Sequence, residues 1–136
     1  MESQTKEWKE SWDKECLKTI CAFANTDGGV MTIGVKDNGD VVGVRDPQKL
    51  LKVISDTIKN KIGIMPSVKI VDKGGKVCIT ITVKREDRRI DMDGIFYKRS
   101  GSTTHRVTGE ELKSWIMEEA PLYWTDMHAK NVKIER

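Results

Sequence analysis

Two sets of residues in this chain could carry chemistry, and they suit opposite partners. The first is basic and hydroxyl-rich: Arg85, Arg88, Arg89, Lys98, Arg99, Ser100, Ser102, Thr103, Thr104 and Arg106. Guanidinium groups pair bidentately with phosphate oxygens, and Ser/Thr hydroxyls with glycine-freed backbone N–H groups complete an anion-binding lining. That chemistry suits a sugar-phosphate backbone. Glu86, Asp87, Asp91 and Asp93 partly neutralise the patch, so the same residues also read as a solvated connector and a Ser/Thr turn before a helix.

The second set is acidic: Glu2, Glu7 and Asp37, with Lys9 near. Carboxylates that converge on Mg²⁺ or Mn²⁺ can activate water and stabilise the charge of phosphodiester cleavage. Geometry sets a condition on this. In one straight strand the Cα atoms of Glu2 and Glu7 would lie roughly 17 Å apart with side chains on opposite faces, so a shared metal needs a bend at Ser3-Gln4-Thr5. Otherwise they read as a frayed acidic terminus and a hairpin aspartate bonded to its own turn.

Other candidates have plainer readings. Cys16, Cys21 and Cys78 form no C-x-x-C pair, and His105 and His128 sit in no metal-ligand spacing, so buried reduced thiols are expected. Asn25 and Asp27 are assigned to capping the end of a helix rather than to a ligand. Gly28-Gly29 resembles a phosphate loop, but G-x-x-x-x-G-K-S/T is absent, which gives no ground for ATP hydrolysis. Trp12 and Trp115 fall on apolar helix faces, whereas Trp8 and Trp124 are open to a stacking role.

The elements that must position these residues follow from periodicity. Trp12, Cys16, Ile20, Phe23 and Ala24 keep the helical period, and Asn25-Thr26-Asp27-Gly28-Gly29 ends that helix. Asn38-Gly39, between Val30–Val35 and Val41–Val44, predicts a two-residue type I′ hairpin. Asp46-Pro47 reads as N-cap and first residue of a second helix with Leu50, Leu51, Val53, Ile54, Ile58 and Ile62 on its buried stripe, closed by Gly63. Val68 and Ile70, then Lys73-Gly74-Gly75-Lys76, then Val77, Ile79, Ile81 and Val83 predict a second hairpin with Cys78, Thr80 and Thr82 on its other face.

Residues 84–94 show no period and read as a mobile charged connector. Ile95–Lys98 is a short strand, and Thr108-Gly109-Glu110-Glu111 starts a third helix with Leu112, Trp115 and Ile116 inward and Pro121 at its end. The predicted fold is α+β: a mainly antiparallel or mixed sheet of hairpins with about three helices packed on it. At 136 residues the chain is read as a domain over 1–120 and a tail or linker over 121–136.

Hydrophobic residues make up 38% and charged ones 33%, and no apolar run could span a bilayer, so no membrane partner is expected and a cytoplasmic location is. The net charge of +3 is unevenly spread. Residues 1–46 carry six Lys/Arg against nine Asp/Glu, 47–83 seven against two, and 84–136 eleven against ten. A basic middle beside an acidic first third is compatible with a surface that attracts polyanions, though so small a net charge does not itself require one.

Glu7-Trp8-Lys9, the run Ala22-Phe23-Ala24-Asn25-Thr26-Asp27-Gly28-Gly29, Gly34-Val35-Lys36-Asp37-Asn38-Gly39 and Arg99-Ser100-Gly101-Ser102-Thr103 stand in one order. Together they resemble the Schlafen AlbA_2 domain, also called divergent AAA-4, with Trp8 where that pattern usually has phenylalanine. The resemblance implies an amino-terminal module of a longer transcriptional regulator that binds nucleic acid, DNA more than RNA. It also implies an alternative, since Schlafen-type ribonucleases use two glutamates five residues apart and a later aspartate, the order of Glu2, Glu7 and Asp37. Mg²⁺ or Mn²⁺ belongs only to that alternative; the preferred reading has no cofactor or metal. A third reading is a homo-oligomer formed through the exposed face of the Val77–Val83 hairpin.

Overall fold

The computed structural model describes residues 2–118, and the chain divides into two compact units, Met1–Arg106 and Val107–Arg136. The first runs β1 (Lys6–Lys9), α1 (Lys14–Asn25), β2 (Gly29–Ile33), α2 (Pro47–Lys61), β3 (Ser67–Lys73), β4 (Lys76–Val83), β5 (Asp91–Met92), β6 (Ile95–Ser100) and β7 (Thr103–Arg106). A mixed four-stranded sheet has the order β1-β2-β4-β3, with β1 parallel to β2 and the other pairs antiparallel. A smaller antiparallel sheet has the order β5-β6-β7. The architecture is α+β, as the sequence predicts.

Asp13 starts α1 because its carboxylate accepts the first-turn N–H groups of Glu15 and Cys16 at 3.0 and 3.3 Å. The apolar face that follows is complementary to one side of the main sheet. Ile20 and Phe23 of α1 and Ile54 and Ile58 of α2 are fully buried with Met31, Ile33, Ile79 and Ile81. Each such side chain contributes about 1.5–3 kcal/mol on leaving water. Gly29 makes the close approach possible, since a Cβ there would lie 2.7 Å from the Phe23 ring.

Register follows the predicted alternation in β4, whose Val77, Ile79, Ile81 and Val83 share the helix-covered side. Gly74 and Gly75, at φ 64° and 89°, make the two-residue turn of the β3–β4 hairpin. β4 lies between β2 and β3 and is hydrogen-bonded on both sides, so strand pairing between copies could not use it.

Two local expectations fail, the Asn38-Gly39 hairpin and the burial of Val53, whereas Asp46 and Pro47 stand at the predicted N-cap and first helical position of α2. Around Asn38-Gly39 the predicted hairpin shrinks to one bridge, Val35 to Val41, because β2 pairs with β1 and β4 instead. Its turn is also different: Gly39 N–H donates to Lys36 O at 2.9 Å and only Gly39 has positive φ, the three-residue loop rather than type I′. Asp46 occupies the N-cap position of α2 in a left-handed conformation without a side-chain capping bond, and Val53 is 43% exposed.

In the second unit the described helix covers residues 109–118; Trp115 is buried, whereas Ile116, predicted inward, is 52% exposed. Pro121, Trp124 and the predicted tail over 121–136 lie outside the described residues.

Candidate functional site

At the edge of the first unit, β1, α1 and the β6–β7 hairpin enclose a cleft of about 330 Å³. Its floor is an ion pair. Glu7 sits on the helix-facing side of β1, and Arg99 Nη2 donates to its Oε1 at 2.6 Å. The same Nη2 donates to Ser3 O at 2.9 Å and Lys6 O at 3.0 Å, and the guanidinium stacks 5.2 Å from the Phe23 ring centroid. Arg99 is 4% exposed.

From there a chain of hydroxyls climbs one wall. Arg99 Nη1 donates to Thr104 Oγ1 at 3.1 Å, Thr104 Oγ1 lies 3.2 Å from Thr19 Oγ1, and Thr19 donates to Glu15 O at 3.4 Å. Because Thr104 accepts from arginine, its own proton is available for Thr19. Lys9, Lys18, Ser102 and Thr103 line the mouth. Lys9 Nζ stands 3.7 Å from Glu7 Oε2, and Lys18 Nζ 3.1 Å from Glu15. Burial pushes the Glu7 carboxyl above its usual range, a push that Glu2 reinforces and that Arg99 and Lys9 oppose. The hydrogen bond from Lys18 to Glu15 raises the lysine, keeping it a cation.

The turn after α1 holds the hairpin in place. Asn25 is buried; its amide donates to Ile90 O at 2.7 Å and Tyr97 O at 2.9 Å, while its carbonyl accepts the Ile90 N–H at 2.6 Å. Thr26 is the C-cap, and its Oγ1 accepts the Arg99 N–H at 3.0 Å. Asn25 therefore does not cap the helix, as the sequence suggests; it fastens the connector and β6 to α1. Asp27 likewise serves the amino terminus by accepting a hydrogen bond from Gln4.

The Schlafen, AlbA_2 family model matches residues 2–108. The chain belongs to that family. Its fold resembles the DIP2311 protein from Corynebacterium diphtheriae, with a TM-score of 0.67 and 18% identity over 85% of this chain and 24% of that one. This AlbA_2 chain thus spans about a quarter of that protein's length. It also resembles the N-terminal domain of a RecG-related protein from Nitrosomonas europaea, named for an ATP-dependent DNA helicase. There the TM-score is 0.54 and the identity 25%, over 78% of this chain and 83% of the other.

The AlbA_2 domain disperses the predicted basic set. Arg99, predicted as a phosphate contact, is instead the cleft floor, 4% exposed and paired with Glu7. Thr104 belongs to the internal hydroxyl chain, while Ser102 and Thr103 reach the mouth. Register places Tyr97, Arg99, Thr104 and Arg106 on one side of the β6–β7 ribbon and Lys98, Ser100, Thr103 and His105 on the other. Arg85 and Arg88 are exposed in the connector. That connector is tied down rather than free: Glu86 N–H donates to Ala24 O at 2.9 Å and Arg89 Nη1 to Asn25 O at 3.1 Å.

The acidic set is brought together in part. Ser3 and Lys6 exchange backbone hydrogen bonds of 3.0 and 3.4 Å, which forms the bend that a Glu2–Glu7 pair requires, and Glu2 Oε2 accepts the Trp8 N–H at 3.2 Å. The terminus is not frayed there. Asp37 instead lines a separate groove of about 440 Å³ with Lys9, Glu10, Lys36 and Asn38. Among the described residues no group of three or more His, Cys, Asp or Glu side chains could hold a metal ion, and the Glu7 oxygens face Arg99 and Lys9. This donor set does not fit Mg²⁺ or Mn²⁺.

The three thiols are free and buried, with Cys16 and Cys21 both pushed up to about 12 by burial. Trp12 packs against the core and Trp8 is half-buried. No described helix is long and apolar enough to cross a membrane. Sequence reasoning missed Lys18, Thr19 and Asn25 as parts of the site. Thr19 offered one signal, a polar residue on the otherwise apolar face of α1.

Proposed function

We propose that this AlbA_2 domain binds nucleic acid mainly through phosphates, DNA more than RNA, as a module of a transcriptional regulator. The observation that carries the reading is the mouth of the cleft. There the Lys9 and Lys18 ammonium groups stand with the Ser102 and Thr103 hydroxyls above a carboxylate already paired with Arg99. With every group ionised, the lining has three cations against two carboxylates, which favours an anion. The helicase-related name of the Nitrosomonas europaea neighbour supports the same partner class.

Titration of labelled duplex DNA at several salt concentrations tests the reading. Several phosphate contacts give a log-log slope of roughly −3 to −5, at about −0.9 per phosphate. Lys18→Gln combined with Ser102→Ala should weaken binding about tenfold and make the slope shallower by about 1. No binding at low salt, or binding insensitive to salt, rules the mode out.

A second reading, metal-dependent ribonuclease, is favoured by the bend that sets Glu2 beside Glu7. RNA cleavage in Mn²⁺ or Mg²⁺, lost both in EDTA and in Glu2→Gln, would establish it against the donor set described above.

A further inference from the structure

α1 and α2 cover one side of the main sheet, and the strand register defines what the other side presents. Alternation puts Lys6 and Trp8 of β1, Val30 and Thr32 of β2, Cys78, Thr80 and Thr82 of β4, and Ser67, Lys69 and Val71 of β3 on that reverse side. Lys73 and Lys76 continue it to the hairpin turn. Its charges are all of one sign. Lys6, Lys69, Lys73 and Lys76 are exposed, no ion pair ties up any of them among the described residues, and no strand position on this side is a carboxylate. Glu86 lies beyond one edge, in a groove with Ser67, Thr82 and Lys84.

Three of these lysines, Lys69, Lys73 and Lys76, come from the basic middle of the sequence, whose other four, Lys49, Lys52, Lys59 and Lys61, lie on α2. Thr80, Thr82 and Ser67 add hydroxyls between the cations, and Trp8 adds an aromatic ring that is half-exposed beside the Gly39 loop. Neighbouring strands are about 4.8 Å apart, so the outer strands bearing Lys6 and Lys69 are separated by roughly 14 Å. Between them Thr32 and Cys78 are buried, Cys78 against the backbone of Gly34, so the accessible part of the face is mainly its lysines, hydroxyls and Trp8.

We infer that the reverse face of the main sheet is a docking surface for single-stranded nucleic acid. The strand lies across it with phosphates on Lys6, Lys69, Lys73 and Lys76 and a base against Trp8. A lysine-rich face supplies sequence-independent attraction, and a half-exposed aromatic ring favours unpaired bases, whose π-faces a duplex keeps stacked. The inference rests on the proposed nucleic-acid role but assigns single strands to a surface separate from the Glu7–Arg99 cleft.

Fluorescence anisotropy with a labelled oligothymidylate tests this, using the full chain, the Lys69→Gln/Lys73→Gln/Lys76→Gln triple variant and the Lys18→Gln/Ser102→Ala cleft variant. All substituted side chains lie at exposed or half-buried positions, and thermal melts check that the variants fold. Losing three phosphate contacts at about 0.7 each should make the single-strand salt slope shallower by about 2 and weaken binding on the order of a hundredfold at 0.1 M salt. Trp8→Leu should weaken single-strand binding on the order of tenfold while leaving the salt slope unchanged.

Unchanged single-strand binding by the triple variant, with the wild type binding normally, overturns the docking surface and leaves the cleft reading intact. Absence of any nucleic-acid binding at low salt overturns both. Lysine-dependent binding to phosphatidylserine vesicles without oligonucleotide binding assigns the face to a membrane and equally overturns the inference.

Discussion

Glu7 Oε1 and Arg99 Nη2 lie 2.6 Å apart although 92 residues separate them in the chain. Glu7 engages the guanidinium through one oxygen and turns the other toward Lys9, while Arg99 Nε is buried with no partner among the described residues. Arginine also binds the carbonyls of Ser3 and Lys6, so one side chain fixes the amino-terminal turn against the β6–β7 hairpin.

Arg99→Ala should cost about 3–5 kcal/mol of unfolding free energy, because it strips the partner from a buried carboxylate and releases two backbone carbonyls. Arg99→Lys should recover little of this, since an ammonium cannot reproduce the planar fork. Urea melts followed by circular dichroism measure both. A loss below about 1 kcal/mol for Arg99→Ala would show that the pair is not a structural tie.

The Glu7 carboxyl is raised by burial, which Arg99 and Lys9 only partly offset. The folded chain thus holds the Glu7 proton at pH values where the unfolded chain has released it. Its stabilising contribution is fully present below the unfolded pKa and is lost as pH rises through the folded one. Urea melts of the wild type and Glu7→Gln across that window should show their stability difference shifting against the wild type as pH rises, then levelling. The opposite slope would mean that Arg99 depresses the carboxyl instead.

Asn25→Ala should destabilise the domain by about 2–4 kcal/mol, as the Ile90 amide and the Ile90 and Tyr97 carbonyls lose a buried partner. The connector should also come loose. Limited trypsin digestion should then cut after Arg85, Arg88 or Arg89 much faster than in the wild type at the same fraction folded. Equal cleavage rates would show that Glu86 and Arg89 anchor this segment without Asn25.

Much of the fold is written locally. The apolar period of α1, the alternation of β4 and the Gly74-Gly75 turn are each set by neighbouring residues, because helix and strand periods and positive φ are properties of short segments. The family motif was equally legible, and residues 2–108 match it.

What each motif does was decided elsewhere. Asn25 looks like a helix cap in sequence, yet Ile90 and Tyr97, far along the chain, take its amide. Arg99 looks like a phosphate contact among hydroxyls, yet the pairing of β6 with β7 and the packing of α1 carry it under the surface to Glu7. Val30–Val35 favours the hairpin at Asn38-Gly39, but pairing with β1 and β4 offers β2 two hydrogen-bonded neighbours and a buried face, which outweighs the local turn. The gathering of Lys6, Lys69, Lys73 and Lys76 on one face likewise depends on strand order and register, which only the tertiary fold fixes.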